Sequence, residues 1–191
     1  MPAVDDNGSM PRSTRWGLRR ATGADASAVA AMHVRAWQTA YRGIVPDAFL
    51  DGLDVAARAS RYDFDGPGPG APVTWITVDG DDVVGMVSVG PGRDEDLPGL
   101  GEVLALYVAP DRWRSGAGSA LMDKADRLLI DAGFTEAALW VLEDNARGRR
   151  FYEAAGWNTD GRTKTVEIGG RELVEVRYRK SLSSRASDLQ E

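Results

Sequence analysis

The chain has 191 residues, 43% of them hydrophobic, which is enough for one domain with a proper core and too little for two large ones. A net charge of -6 and a pI near 4.9 exclude a general affinity for nucleic acid or for an anionic membrane. With no cysteine there are no disulfides, thiolate metal sites or cysteine nucleophiles, and His33, the single histidine, leaves little for a metal centre or a Ser-His-Asp triad, so no metal is expected.

Residues 1–15 and 182–191 are polar and aperiodic and read as flexible tails around one domain spanning 16–181. The opening "MPAVDDNGSMPRSTR" has no apolar core of a signal peptide, and no apolar run reaches the length of a membrane span. A cytoplasmic protein without membrane partners is the expectation. "WGLRRAT" reads as a first strand. Thr22, with Asp25 three residues on, forms a capping-box variant that opens a helix through "ASAVAAMHVRAWQTAY". Pro46 can open a second helix, "PDAFLDGLDVAARASRY", which "DGPGPGAP" ends. "VTWITV", the turn "DGDD" and "VVGMVSV" form a hairpin, followed by the acidic Gly/Pro-rich loop "GPGRDEDLPGLG". Then come the strand "EVLALYVA", a helix over 117–132, the strand "AALWVL" and a helix over 146–155 that Gly156 ends. "TKTVEI", Gly169-Gly170 and "ELVEVRYRK" alternate as a closing hairpin. This order predicts an α/β fold with a sheet of mixed strand direction.

Two stretches carry chemistry. In "YVAPDRWRSGAGSALM" the glycines Gly116 and Gly118 stand where a strand hands over to a helix, so an anion can approach the free N–H groups of the first helical turn. Arg112 and Arg114 add positive charge. A plain tight turn would use the same glycines. Leu121 stands where a dinucleotide fingerprint needs its third glycine, and there is no Gly-Lys-Ser/Thr string for a P-loop, so neither familiar nucleotide motif fits. The helix that follows has an ordinary buried stripe of Leu121, Ala125, Leu128, Leu129 and Ala132. In "EDNARGRRFYEAAGW", Asn145 and Tyr152 are seven residues apart, which at about 100° per residue puts them on one face with Arg149, while Phe151 and Ala155 point elsewhere.

Together these stretches resemble motifs A and B of the GNAT superfamily of N-acetyltransferases, over roughly residues 16–181. The resemblance implies a single domain with a mixed, mostly antiparallel twisted sheet, a central parallel strand pair and about four flanking helices. It implies acetyl-CoA as co-substrate, its pyrophosphate held by the backbone of Arg114, Ser115, Gly116, Ala117, Gly118 and Ser119. It places the pantetheine arm and acetyl group along Leu106, Tyr107 and Val108, Asn145 on the cofactor and Tyr152 near its sulfur. The family's usual Gln or Arg three residues before the first loop glycine is Trp113 here, which removes one expected polar contact. The implied activity is direct acetyl transfer to a primary amine of a small molecule or a peptide; the alternative is a coenzyme A sensor without turnover. Family members often form homodimers.

An alkyl amine with a pKa near 10.4 is almost wholly protonated at pH 7, a penalty of about 4 kcal/mol that a base can relieve. Glu102 is the first candidate for that base, against a plain strand-edge role, with Glu143 and Asp144 behind it. Tyr152 is the candidate acid for the departing thiolate, and a backbone N–H near Val108 can stabilise the oxyanion. His33, Trp37 and Tyr41 fall at i, i+4 and i+8 and read as a core stripe more than as an acceptor pocket. The acidic loop could attract a cationic amine or simply be solvated.

Overall fold

A computed structural model of the chain describes residues 16–66, 68 and 70–182. The expected tails therefore lie outside the described residues, except Leu182, which is buried and donates its N–H to the carbonyl of Thr135 at 2.8 Å. The elements run β1 (Gly17–Arg20), α1 (Ala26–Ala40), α2 (Asp47–Asp51), α3 (Val55–Ala59), β2 (Val73–Asp79), β3 (Asp82–Pro91), β4 (Gly101–Val108), α4 (Ala117–Asp131), β5 (Glu136–Leu142), α5 (Ala146–Ala154), β6 (Asn158–Ile168) and β7 (Arg171–Ser181). One seven-stranded sheet has the order β1-β2-β3-β4-β5-β7-β6, antiparallel throughout except where β4 meets β5. The expected α/β architecture with its central parallel pair is present.

The helix expected over 46–62 is instead two short ones. Gly52 ends α2, and the Asp54 carboxylate caps α3 by accepting from the Ala57 N–H at 2.6 Å. The start of α1 follows the expected box: the Asp25 carboxylate accepts from the N–H and hydroxyl of Thr22, at 2.8 and 2.9 Å. It also takes two bonds of 2.7 Å from Arg19, tying β1 to the first helix.

Alternation along the strands divides the core between the two sheet faces. Val87, Val103, Leu139, Val141 and Val176 pack with Leu121, Met122, Ala125 and Leu129 of α4. Ile76, Val83 and Met86 pack with Val29, Met32 and Ala36 of α1. On α4 the expected stripe is shifted: Met122 is buried, whereas Leu128 is half-buried and Ala132 is exposed beyond the helix end.

His33 of α1 is packed, as the sequence suggested. Its ring stacks on Tyr107 at 4.1 Å, and Nδ1 lies 2.6 Å from the Tyr62 hydroxyl. Burial, then the nearby charge of Arg58, lowers its pKa to about 3. The folded protein thus keeps His33 neutral while an unfolded chain protonates it below about pH 6.5. The stability this contributes is complete above about pH 6.5 and is lost as pH falls from there toward 3. We expect the urea midpoint to fall between about pH 7.5 and about pH 5 by the equivalent of about 2 kcal/mol more in the parent than in His33→Gln, measured by circular dichroism.

Candidate active site

The parallel pairing of β4 with β5 covers only Gly101↔Ala137 and Glu102↔Ala138. Beyond it the strands diverge. Opposite β3 the register steps from Val89↔Val103 to Ser88↔Ala105, leaving Leu104 as the extra residue of a bulge. Such bulges bend a strand and re-aim its side chains. Between the diverging strands lies a cavity of about 380 Å³ that reaches from Glu102 at the closed end to the start of α4 and to α5. Because it sits in a gap of the sheet itself, it is lined from both faces: by Trp37 of α1 and Tyr41 just past its end, and by Phe151 and Tyr152 of α5.

Of the predicted residues, Glu102, Leu106, Tyr107, Val108, Arg114, Gly116, Gly118, Ser119, Asn145 and Tyr152 line this cavity. Ser115 and Ala117 do not. The Ser115 hydroxyl turns back to the carbonyl of Arg112, and Ala117 is fully buried against the core. The loop conformation explains the glycine at 116, whose φ is +92°, a region costly for a residue with a Cβ. Arg114 shares the left-handed region at φ 59°. No side chain caps α4, whose first helical bond runs from the Ala120 N–H to the Gly116 carbonyl. The N–H groups of its first turn therefore face the cavity mouth without an intrahelical partner. A Cβ at Gly118 would stand 3.3 Å from the Phe151 ring, so this glycine lets α5 close over α4.

Trp113 has two identifiable functions. Its indole N–H donates to the Val108 carbonyl at 2.9 Å, fixing the loop to the end of β4. Its ring face carries the Arg147 guanidinium at 3.2 Å, and Arg147 lines the cavity. Burial lowers the pKa of Arg147.

Of the shared face expected for Asn145, Arg149 and Tyr152, Asn145 and Tyr152 do meet at the cavity and Arg149 does not. Asn145 is the N-cap of α5, with ψ 66° outside the helical range, and its Oδ1 accepts from the Gly148 N–H at 3.0 Å. Helical periodicity does not extend to a cap residue. Arg149 turns away to the Tyr178 hydroxyl at 3.1 Å and the Glu143 carbonyl, while Phe151, expected on another face, enters the cavity. Tyr152 meets Phe151 edge-on at 5.5 Å, and its hydroxyl makes no hydrogen bond among the described residues. Burial, reinforced by Tyr107, holds its pKa well above the usual phenol value. At neutral pH it is protonated.

Glu102 is buried and bound three times by Arg93: from the backbone N–H and Nε to Oε2 at 3.0 Å each, and from the guanidinium to Oε1 at 2.6 Å. Glu143 and Asp144 are exposed and do not line the cavity. The acidic loop is pinned, not free. The buried Arg177 of β7 pairs with Asp94, Asp96 and Asp160 at 2.8 to 3.2 Å, and the Trp140 indole N–H donates to Asp94. The α1 stripe splits, His33 packing inward while Trp37 and Tyr41 reach the cavity. Sequence reasoning missed Arg93, Trp140, Arg147, Lys164 and Glu175, all of which line it.

Among the described residues no group of acidic, histidine or cysteine side chains is placed to hold a metal ion. The model of the acetyltransferase (GNAT) family matches residues 34–157. The uncharacterized N-acetyltransferase YuaI of Bacillus subtilis is 32% identical over 162 residues, covering 83% of this chain and 89% of that one. The fold is similar to a crystal structure of an N-acetyltransferase from Staphylococcus aureus, with a TM-score of 0.69, 14% identity and coverage of 89% and 100% of the two chains. It is likewise similar to yncA of Salmonella typhimurium, described as a putative acetyltransferase with its cofactor acetyl-CoA, with a TM-score of 0.67, 18% identity and coverage of 91% and 98%. A split parallel pair, an uncapped helix after a glycine loop and a tyrosine opposite it thus occur in a chain that belongs to the GNAT family of N-acetyltransferases.

Proposed function

We propose that the protein transfers the acetyl group of acetyl-CoA directly to a primary amine of a small molecule or a peptide. The observation that carries this reading is a single cavity joining the uncapped start of α4 to the unpartnered Tyr152 hydroxyl through the gap between β4 and β5. The residues fit a thioester cofactor with an anionic pyrophosphate. First-turn N–H groups at Gly118 and Ser119 receive the pyrophosphate, with Arg112, Arg114 and the Trp113-backed Arg147 supplying positive charge. Toward β5, the β4 backbone from Leu106 to Val108 has no ladder partner and offers hydrogen bonds to the amide-bearing arm. The bound group supplies an activated acyl carbon and a thiolate leaving group.

Glu102 takes up the proton of the incoming ammonium through water in the cavity, and Arg93 keeps its carboxylate oriented. Tyr152 gives its proton to the departing thiolate. With no cysteine in the chain, direct attack by the amine needs no covalent enzyme intermediate.

Tyr152→Phe is expected to slow acceptor-dependent thiol release by roughly 10²-fold while leaving the rise in melting temperature caused by acetyl-CoA intact. Turnover equal to the parent across pH would remove Tyr152 from the acid role. Gly118→Val forces a branched side chain onto Phe151 at the cradle. We expect this variant to lose the acetyl-CoA-dependent rise in melting temperature, as read by differential scanning fluorimetry; full retention would mean that the pyrophosphate is held elsewhere.

A further inference from the structure

Two carboxylates line the cavity, Glu102 and Glu175, and they are placed differently. Glu102 accepts three hydrogen bonds from Arg93. Among the described residues Glu175 accepts none and pairs only with Lys164 Nζ, at 3.4 Å, an ammonium that also rests over the Trp140 ring at 3.9 Å. The Glu175 side chain is only 22% exposed, so it is largely desolvated yet faces the cavity. Its register partner on β5 is Leu142, at the open end of the gap. The same face of β7 carries Leu173, which packs with Val45, Leu50 and Leu142, and Arg177, which holds the acidic loop. Neither neighbour approaches Glu175 as a donor.

Aromatic rings complete the surroundings. Trp37 and Tyr41 meet edge-on at 4.9 Å, Trp37 and Tyr107 lie 6.4 Å apart, and all three line the cavity with Glu175. Burial is the main cause that raises the Tyr41 and Tyr107 phenols, and the Glu175 charge adds to it in both. A half-desolvated carboxylate beside aromatic faces is a setting that attracts an organic ammonium, through charge and through the negative faces of the rings. Leu104 and Ile168 offer apolar surface alongside, and Trp37 adds its ring.

We propose that Glu175 is the binding anchor for the ammonium of the acceptor, and that the acceptors are primary amines carried on an apolar stem. This rests on the acetyltransferase reading above. Lys164 holds the anchor until the acceptor ammonium replaces it, and Glu102 remains the base.

The test is calorimetric titration of the full chain, saturated with coenzyme A so that no transfer occurs, with 2-phenylethylamine and with its neutral analogue 2-phenylethanol. The parent is expected to bind the amine at least about tenfold more tightly than the alcohol, and Glu175→Gln to bring the two together. Lys164→Met, which removes the internal competitor, is expected to tighten amine binding, and this decides the matter if Glu175→Gln does not fold. With acetyl-CoA, thiol release by Glu175→Gln should show a KM raised about tenfold or more and a much smaller change in kcat, partly restored in Glu175→Asp. Equal binding of amine and alcohol by the parent, or amine binding indifferent to both substitutions, overturns the anchor. Glu175-dependent binding without thiol release leaves the anchor standing and refutes transfer to this amine. Thiol release indifferent to Glu175 refutes the anchor and leaves the acetyltransferase reading in place.

Discussion

The rest of the molecule depends on how early the β4–β5 ladder stops. Two residue pairs hold the parallel strands together, and then the bulge at Leu104 turns β4 aside. A sheet is ordinarily a wall whose backbone groups are paired from strand to strand. Here the wall opens in its centre, which is costly unless something else closes the gap and satisfies the freed groups. The antiparallel pairing of β5 with β7, continuous from Glu136↔Ser181 to Leu142↔Glu175, fixes the far side of the opening, and the β3–β4 ladder fixes the near side. The gap is thus rigidly framed although it is unpaired within.

Charge pairs keep the frame in place. Arg177, almost wholly buried, is surrounded by three aspartates from the acidic loop and β6, and Arg93 of the same loop closes on Glu102. A buried guanidinium is tolerable only with such company, and removal of one partner costs more than the pair gains. The loop that the sequence presented as a solvated run or an attractor of cationic amines is therefore a structural strap tied to β7. Within it the charges of Asp94 and Asp96 are met by Arg177, while Glu95 stays exposed.

Much of this was legible in the sequence because it rests on local rules. Alternation and turn residues located the seven strands, and the Gly116–Gly118 spacing located the turn into α4 that lines the cavity. What periodicity handled badly were the ends of elements. Asn145 looked like a helical face residue and is a cap, so Arg149 and Phe151 exchanged their expected directions. Gly52 and Asp54 broke a helix that the apolar pattern carried through. Glu175, Lys164 and Arg93 were hidden for a different reason: they meet across distant strands and a loop, and no short spacing reports such a meeting.

Trp113 binds two neighbours at once, the Val108 carbonyl through its indole N–H and the Arg147 guanidinium through its ring face. The positive charge at that wall of the cavity is thereby borne by α5 but held by the loop before α4, so two segments more than thirty residues apart share one function. A stack of this kind is worth about 1 kcal/mol, enough for a change at either position to devalue the other. Positions 113 and 147 accordingly act as a coupled pair: a glutamine at 113 would take away the ring that carries the Arg147 guanidinium, and loss of the arginine would leave the Trp113 ring face without its cation.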